Sequence, residues 1–180
     1  HTVSMLLNNG DGTFANRYSV GEEPSFLTLG DVDGDEDLDL LTANYGHDSF
    51  SVLLNHGNGT FADKVTYGVT NKPKSLALGD VDGDENLDVL AVSESHHSLS
   101  VFLGHGDGTF ASQNNFSTGN QPESLALGDV DGDENLDVVT ANYADDDISV
   151  LLGVGDGTFA EKVDYAIGVP PQFIALADLN

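Results

Sequence analysis

The chain repeats one motif at a fixed interval of 49 residues. The aspartates that open each copy of an acidic segment are Asp31, Asp80, Asp129 and Asp178. A second motif, Gly-Asp/Asn-Gly-Thr-Phe, begins at residues 10, 57, 106 and 155. Its first interval is two residues shorter than the others, and we place this difference in a loop between residues 14 and 24. A period of about 40 to 50 residues is typical of chains that stack copies of one supersecondary unit.

Each repeat has the pattern of four short strands. In the unit from Pro73 to Asn120, apolar or alternating runs occupy residues 75–79, 87–92 and 99–103, and a more polar strand occupies 110–117, with polar or glycine-containing turns between them. None of these runs has the period of a helix. Four-stranded units of this length are typical of propeller blades, because one blade cannot bury both of its faces and must stack on neighbours. We therefore predict an all-β fold, a β-propeller of four-stranded blades.

The repeat also predicts how the blades divide the chain. We expect a single domain with a partial blade at 1–23, blades at about 24–72, 73–121 and 122–170, and the first strand of a next blade at 171–180. Propellers close with about four to eight blades. We therefore expect this segment to be part of a larger ring. Assembly of two or more chains into one ring, or a four-bladed ring that lacks one strand, are the alternatives.

Each complete acidic segment is a loop of nine residues with carboxylates at positions one, three, five and nine. The sequence is Asp-Val-Asp-Gly-Asp-Glu-Asp-Leu-Asp at 31–39 and Asp-Val-Asp-Gly-Asp-Glu-Asn-Leu-Asp at 80–88 and 129–137. Glycine at position four permits a sharp bend, which lets the alternate carboxylates surround one centre. The backbone carbonyl at position seven can add a further oxygen. Ca²⁺ takes about six to eight oxygen ligands at about 2.3–2.6 Å, so this donor set fits it.

We predict one Ca²⁺ in each complete loop, three in this chain. The predicted ligands are Asp31, Asp33, Asp35, Asp37, Asp39, Asp80, Asp82, Asp84, Asn86, Asp88, Asp129, Asp131, Asp133, Asn135 and Asp137. An EF-hand is excluded because its loop has about 12 residues with glycine at position six. The absence of cysteine disfavours zinc. Magnesium stays open, although it prefers to keep its waters. The leucines at position eight are expected to anchor the loops in the core, and no intact site is expected at the partial copy that begins at Asp178.

The charge balance limits the partners. The chain has 31 Asp and Glu against 5 Lys and Arg, a net charge of −26. Nucleic acids and anionic membranes attract cationic surfaces, so we expect neither as a partner. No apolar run approaches the about 20 residues of a membrane-spanning helix, and we expect no membrane insertion. Carboxylates packed this closely repel one another without a cation, so folding should be linked to metal binding.

The remaining residues give no sign of catalysis. The well-placed carboxylates all belong to the acidic loops, and no nucleophile lies beside a base, so we expect no enzyme activity. The glycine turn lacks the lysine and the helix of a phosphate-binding loop. Its phenylalanines, at 14, 61, 110 and 159, are expected in the core between blades. The loop histidines are expected to be solvated. Tyr45 and Tyr143, in matching loops, are candidates for stacking on a sugar.

Together these motifs resemble the FG-GAP/VCBS repeat family, whose blades also form the integrin α-subunit head. The resemblance covers essentially the whole chain and lies in two phrases, Ala-Leu-Gly-Asp-Val-Asp-Gly-Asp-Glu-Asn-Leu-Asp-Val and Ser-Val-Leu-Leu-Gly-Val-Gly-Asp-Gly-Thr-Phe. It implies a ring of about seven blades. It also implies Ca²⁺ in the loop between the first two strands, held by carboxylates at positions one, three, five and nine and by the backbone oxygens of Asp37, Asn86 and Asn135. Members are mostly extracellular or cell-surface proteins that bind proteins or glycans, and some are modules of enzymes.

The expected function is therefore that of a non-catalytic, extracellular or cell-surface, calcium-binding β-propeller module for protein or glycan binding and adhesion. The alternatives are a lectin with sites between blades, a structural subunit of a surface layer or filament, and an accessory domain of a secreted enzyme. Expected partners are a protein or carbohydrate ligand, with self-assembly as a route to a complete ring. Similar loops displayed around a ring would suit multivalent contact.

Overall fold

A computed structural model describes residues 2–8 and 14–177 of the 180-residue chain. Within these residues the fold is all-β, with three four-stranded antiparallel sheets and one two-stranded sheet. The prediction of four-stranded blades is confirmed at this level. The partial motif that begins at Asp178 and the first copy of the glycine turn lie outside the described residues.

Each sheet is a simple meander. The two-stranded sheet pairs β1 (Thr2–Asn8) with β2 (Phe14–Ser19). The first complete blade has β3 (Pro24–Gly30), β4 (Asp39–Asn44), β5 (Ser49–Leu53) and β6 (Val65–Gly68), with a short 3-10 helix at Tyr45–His47. The second has β7 (Pro73–Gly79), β8 (Asp88–Ser93), β9 (Ser98–Phe102) and β10 (Asn114–Ser117). The third has β11 (Pro122–Gly128), β12 (Asp137–Asn142), β13 (Asp147–Leu151) and β14 (Val163–Ala166). We call them blades 1, 2 and 3.

The core lies in the seams between sheets. One cluster joins blades 1 and 2 through residues such as Leu41, Phe50 and Val89, and a second joins blades 2 and 3 through residues such as Leu90 and Val138. The second strand of every blade is buried along its whole length. Because β4 and β8 have a sheet packed on each face, these strands are continuous runs of buried residues and do not alternate.

The innermost strands stack closely because each ends in a glycine. A Cβ added at Gly30 would lie 2.5 Å from Leu78 Cδ1 and 3.0 Å from Leu87 Cδ1. The same relation joins Gly79 to Leu127 and Leu136 at 2.8 Å. A side chain at these positions would separate the blades. The leucine at loop position eight therefore anchors its loop on the inner strand of the preceding blade.

Leu38 is the exception to the predicted anchoring, because its side chain is 56% exposed. The sheet before blade 1 contains only β1 and β2. By their place in the repeat these are the two outer strands of a blade, so within the described residues Leu38 has no inner strand to pack on. The prediction that all three leucines are core anchors was wrong for Leu38.

Two other features differ from the sequence-based expectation. The outer strand of blade 2 was predicted over 110–117 but pairs only at Asn114–Ser117, while Phe110 forms an isolated bridge with Gly104. Residues 171–177, predicted as an inner strand, carry no strand assignment, since in the described part of the chain no second strand pairs with them. In these described residues no helix is long and apolar enough to span a membrane.

Candidate metal centres

The acidic loops join the first and second strands of each blade, and their ends meet as register partners. Gly30 pairs with Asp39, and the two later blades repeat this pair with Gly79 and Asp88 and with Gly128 and Asp137. Pairing fixes position nine of the loop at the start of a buried strand. The other eight residues must therefore fold back over the end of the sheet.

Folding back brings positions one, three and nine together in all three loops. One carboxylate oxygen from each member of a group lies within 4.8 Å of those of the other two members. The groups are Asp31, Asp33 and Asp39; Asp80, Asp82 and Asp88; Asp129, Asp131 and Asp137. With Ca–O distances of about 2.4 Å, ligands on opposite sides of one ion are about 4.8 Å apart. One Ca²⁺ could therefore contact all three carboxylates of a group.

Position nine is a fully buried carboxylate held by two backbone amides. Val81 N–H donates to Asp88 Oδ2 and Gly104 N–H to Asp88 Oδ1, both at 2.8 Å. Asp39 and Asp137 accept the equivalent pairs of bonds. One donor comes from the loop itself and the other from the turn after the third strand. Position nine thus ties the loop to the rest of its own blade, a role that the sequence spacing did not reveal.

Position one organises the bend. Asp80 Oδ1 accepts from Gly83 N–H at 2.7 Å, and Asp80 Oδ2 accepts from Glu85 N–H at 2.9 Å. Glu85 has a left-handed φ of 69°, a region that non-glycine residues seldom adopt. Its counterparts Glu36 and Glu134 have φ of 69° and 71°. The hydrogen bond to position one holds this conformation in each loop.

The predicted ligands at positions five and seven lie outside the three-carboxylate groups. Asp84 Oδ1 accepts from Asn86 N–H at 2.9 Å, and Asp84 Oδ2 accepts from Asn86 Nδ2 at 2.8 Å. Asp35 and Asp133 accept the same backbone bond. The position-seven side chain lies against the first glycine of the turn in its own blade, at Gly57, Gly106 or Gly155. The roles of Asp35, Asp84 and Asp133, and of the carbonyls of Asp37, Asn86 and Asn135, as ligands stay predictions.

The electrostatics of the loops favour a bound cation. Burial, assisted by the charges of Asp82 and Asp84, raises the pKa of Asp88 to about 6 against the two amide bonds that lower it. Burial also raises the pKa of Asp39, Asp33 and Asp82. The Lys ion pairs found in the described residues join Lys74 to Glu94 and Glu123, and Lys162 to Asp164, so none involves a loop carboxylate. A donor set of hard oxygens with uncompensated charge fits Ca²⁺.

The other residues considered from the sequence have ordinary surroundings. Phe110 and Phe159 are buried in the seams, and Phe61 packs on the cluster beside β2, as predicted, whereas the side chain of Phe14 lies outside the described part. The loop histidines are exposed except for His97, whose Nδ1 accepts from Gln121 N–H. Tyr143 is 40% exposed. The Tyr45 ring lies under the Nζ atoms of Lys72 and Lys74, at 5.2 and 5.1 Å from its centroid.

The residues that line two grooves between blades were not predicted from the sequence. One, of about 460 Å³, lies between β2 and the segment after the blade 1 turn, where Tyr18 and Phe61 meet edge to face. The other, of about 300 Å³, lies between β10 and the segment after the blade 3 turn, where Phe116 and Phe159 meet in the same way. Each carries an acid and a lysine at its rim, Asp63 and Lys64 or Glu161 and Lys162. The separation of Lys64 and Lys162 by two repeats was the available sequence signal.

Comparison with known proteins gave one family and several similar structures. The profile described as FG-GAP-like repeat matches residues 31–91 and again 80–140. A search of curated proteins gave no match. A lectin from Agrocybe aegerita, described as recognising non-reducing terminal N-acetylglucosamine, is 23% identical over 88% of this chain, with a TM-score of 0.55. A protein from Desulfotomaculum acetoxidans described as functionally unknown is 14% identical over 87% of it, with a TM-score of 0.61. The chain spans 45% and 47% of the lengths of these two proteins.

Proposed function

The chain belongs to the FG-GAP-like repeat family, and from this premise we propose that it is a calcium-binding, non-catalytic β-propeller segment that serves as an extracellular binding module. The observation that carries this proposal is the convergence of three carboxylates within 4.8 Å in each of three loops. The similarity of fold to the two solved structures supports blades stacked as in a propeller. In our proposal the blades belong to a closed ring of about seven.

Calcium would act on the fold and not on a substrate. Positions one, three and nine would hold the ion, with oxygens from positions five and seven as the proposed further ligands. The ion supplies positive charge beside carboxylates that no lysine or arginine of the described residues offsets. The loops would then be rigid at one end of each blade, and the opposite loops would be free to contact a protein or glycan. Extracellular Ca²⁺ concentrations suit exposed oxygen sites of modest affinity.

Isothermal titration calorimetry with Ca²⁺ tests the proposal. We expect Ca²⁺ to bind at three sites per chain, one for each carboxylate group. Mg²⁺ should bind more weakly, because it requires a near-octahedral set of ligands that a flexible loop does not impose. Asp82→Asn should remove or weaken one site, whereas Asp63→Asn, outside the loops, should leave all sites unchanged. Absence of binding at millimolar Ca²⁺ would exclude the calcium-module function.

Glycan binding in the grooves between blades is the second candidate, and the two equivalent grooves favour it. An aromatic pair on the wall and an acid with a lysine at the rim provide an apolar contact together with hydrogen-bond donors and acceptors, which suits a sugar ring. The similarly folded Agrocybe aegerita protein is a lectin. At the middle seam Gln113 takes the place of Lys64 and accepts from Thr70 across the seam.

A glycan array tests this candidate. We expect binding that is weakened when the rim residues are changed together in Asp63→Ala/Lys64→Ala/Glu161→Ala/Lys162→Ala, with Gln113→Ala as the control at the middle seam. Binding that survives the rim changes but is lost with Tyr143→Ala would place the site on the opposite loops. Absence of binding across a broad array would favour a protein ligand, a surface-layer subunit or an accessory domain of an enzyme.

A further inference from the structure

Each complete acidic loop that is followed by another blade makes a backbone hydrogen bond to that blade. Gly108 N–H of blade 2 donates to Val32 O of the blade 1 loop at 2.9 Å. Gly157 N–H of blade 3 donates in the same way to Val81 O of the blade 2 loop at 3.0 Å. Both donors are the second glycine of the Gly-Asp-Gly-Thr-Phe turn. The turn therefore contacts two metal loops: its first glycine lies on the loop of its own blade, and its second glycine bonds to the loop of the preceding one.

The valine at position two is held on both sides of its backbone. Val81 N–H donates to Asp88 Oδ2 of its own loop, while Val81 O accepts from Gly157 of the next blade. Val81 lies between Asp80 and Asp82, two members of the carboxylate group. Fixing its two peptide units restricts the positions of both neighbouring carboxylates. The loop of blade 1 has the same pair of bonds at Val32.

The loop of blade 3 is held only from within its own blade, as far as the described residues extend. Val130 N–H donates to Asp137, but Val130 is 45% exposed, whereas Val32 and Val81 are 3% and 4% exposed. Asp129 and Asp131 are exposed, while their counterparts in the other two loops are half-buried. The three loops have nearly the same sequence, so within the described residues their burial differs according to whether a following turn packs on them.

We propose that the second glycine of each turn positions the calcium loop of the preceding blade and thereby raises the affinity of that loop for Ca²⁺. This inference rests on the calcium binding proposed above. A loop that already holds its carboxylates in place loses less conformational entropy on binding, and its affinity is higher. Metal affinity along the chain is thereby set across the seams and not by the loop sequence alone.

The position of this donor explains why the turn needs its second glycine. Gly108 and Gly157 have φ of 77° and 78°. A Cβ at Gly157 would lie 2.8 Å from Leu103 Cδ2, and a Cβ at Gly108 would lie 2.9 Å from Leu54. A substitution here strains the backbone and moves the donor away from the valine carbonyl. Gly59 has the same place in the blade 1 turn and a φ of 79°, and no acidic loop of the described chain precedes it.

Site-resolved Ca²⁺ titration by ¹⁵N–¹H NMR tests the inference on the full chain. The amides of Gly34, Gly83 and Gly132 donate to position one of their loops and report each site separately. Gly157→Ala should weaken binding at the Gly83 loop by about fivefold or more, the effect of losing one hydrogen bond, and leave the Gly34 loop unchanged. The matched control Gly59→Ala should alter none of the three.

The outcomes separate this inference from the calcium proposal. An unchanged affinity at the Gly83 loop of Gly157→Ala would overturn the inference, and an unaltered Gly34 loop in the same variant shows that the chain is folded. Weakening of the Gly132 loop in place of the Gly83 loop by Gly157→Ala would also overturn it, since the turn would then act within its own blade. If none of the three amides responds to Ca²⁺, calcium binding itself is refuted.

Discussion

Asp88 combines full burial, two backbone hydrogen bonds and proximity to two other carboxylates. A lone buried carboxylate is unfavourable, and the pKa of about 6 reflects this. A bound cation converts the same carboxylate into a favourable ligand. The balance at this one residue therefore depends on whether metal is present.

Asp88→Asn should lower stability much more in Ca²⁺ than in chelator. In chelator the substitution has two opposing effects on stability. It removes a buried charge, which is stabilising, but it places the new side-chain NH₂ against a backbone N–H that had donated to the carboxylate, which is destabilising. In Ca²⁺ it also removes a ligand, so the calcium-dependent stabilisation should fall by about 2 kcal/mol or more. Urea denaturation in both conditions measures this. The exposed Asp63→Asn, outside the acidic loops, is the control, and an equal loss in both conditions would contradict a ligand role for Asp88.

The sequence predicted which carboxylates converge, but not which of them bind backbone amides and which face the common centre. Alternate carboxylates around a glycine predict convergence at one centre, and positions one, three and nine converge. The sequence does not say which oxygens the backbone amides take, and Asp84 bonds to Asn86 outside the group. Nor does local spacing show the bond from Gly108 to Val32, because it joins different blades.

The second strands of the blades show how one element adapts to a changed residue. Asn44 ends β4, accepts from Gly21 N–H at 3.0 Å and donates to Ser49 and Ser51. In blade 3 Asn142 packs on Gly119 in the same way. There Asn142 donates to Asp147 and Ser149, and Gly119 N–H donates to Ser149 Oγ. Blade 2 has Ser93 and Thr70 at these positions. There the buried hydroxyls of Ser93 and Ser98 have no hydrogen-bond partner in the described part of the chain.

Restoring the pair in blade 2 by Thr70→Gly/Ser93→Asn should stabilise the chain by about 1 kcal/mol, because the carboxamide would reach Ser98. Ser93→Asn alone should destabilise the chain, because the new side chain would clash with Thr70. In blade 1 the equivalent residue is Gly21, and a Cβ there would lie 2.3 Å from Asn44 Cγ. Urea denaturation of the two single variants and the double variant forms a mutant cycle. Additive effects would contradict the coupling.

Lys74 joins the inner strands of successive blades. Its Nζ lies 3.1 Å from Glu123 Oε2 of blade 3, 3.5 Å from Glu94 Oε2 of blade 2, and over the Tyr45 ring of blade 1. Lys74→Met keeps the apolar stem but leaves two half-buried carboxylates without a cation. We expect a loss of about 1–2 kcal/mol after allowance for solvent screening. Lys162→Met, whose ion pair lies within one blade, is the control. Equal small losses would contradict a joining role.

The elements themselves followed from the repeat because strand pattern and turn chemistry agree in every unit. The parts that differed depend on neighbours. Leu38 is exposed although Leu87 and Leu136 are packed, because packing at this position needs an inner strand from the preceding blade. The outer strand of blade 2 is shorter than predicted, since Phe110 turns into the seam and forms only an isolated bridge with Gly104.

At the scale of the whole molecule, a net charge of −26 opposes compaction. Salt screens repulsion between exposed charges over about 8–10 Å at moderate ionic strength. Raising NaCl should therefore raise the thermal midpoint more in chelator than in saturating Ca²⁺, where part of the charge is already offset. Circular dichroism at several NaCl concentrations measures this, and a fall in the chelator midpoint with added salt would contradict the charge argument.

Thermal unfolding in millimolar Ca²⁺ and in excess chelator is the most direct test of whether the acidic loops bind Ca²⁺, since ligands that bind the native state raise its thermal midpoint. We expect Ca²⁺ to raise the thermal midpoint by a large amount. The rise should be smaller in the loop variant Asp80→Asn/Asp82→Asn. It should be unchanged in the control Asp145→Asn, because Asp145 lies in a loop at the opposite end of blade 3. Identical unfolding curves with and without Ca²⁺ would mean that the acidic loops are solvated turns and not calcium sites.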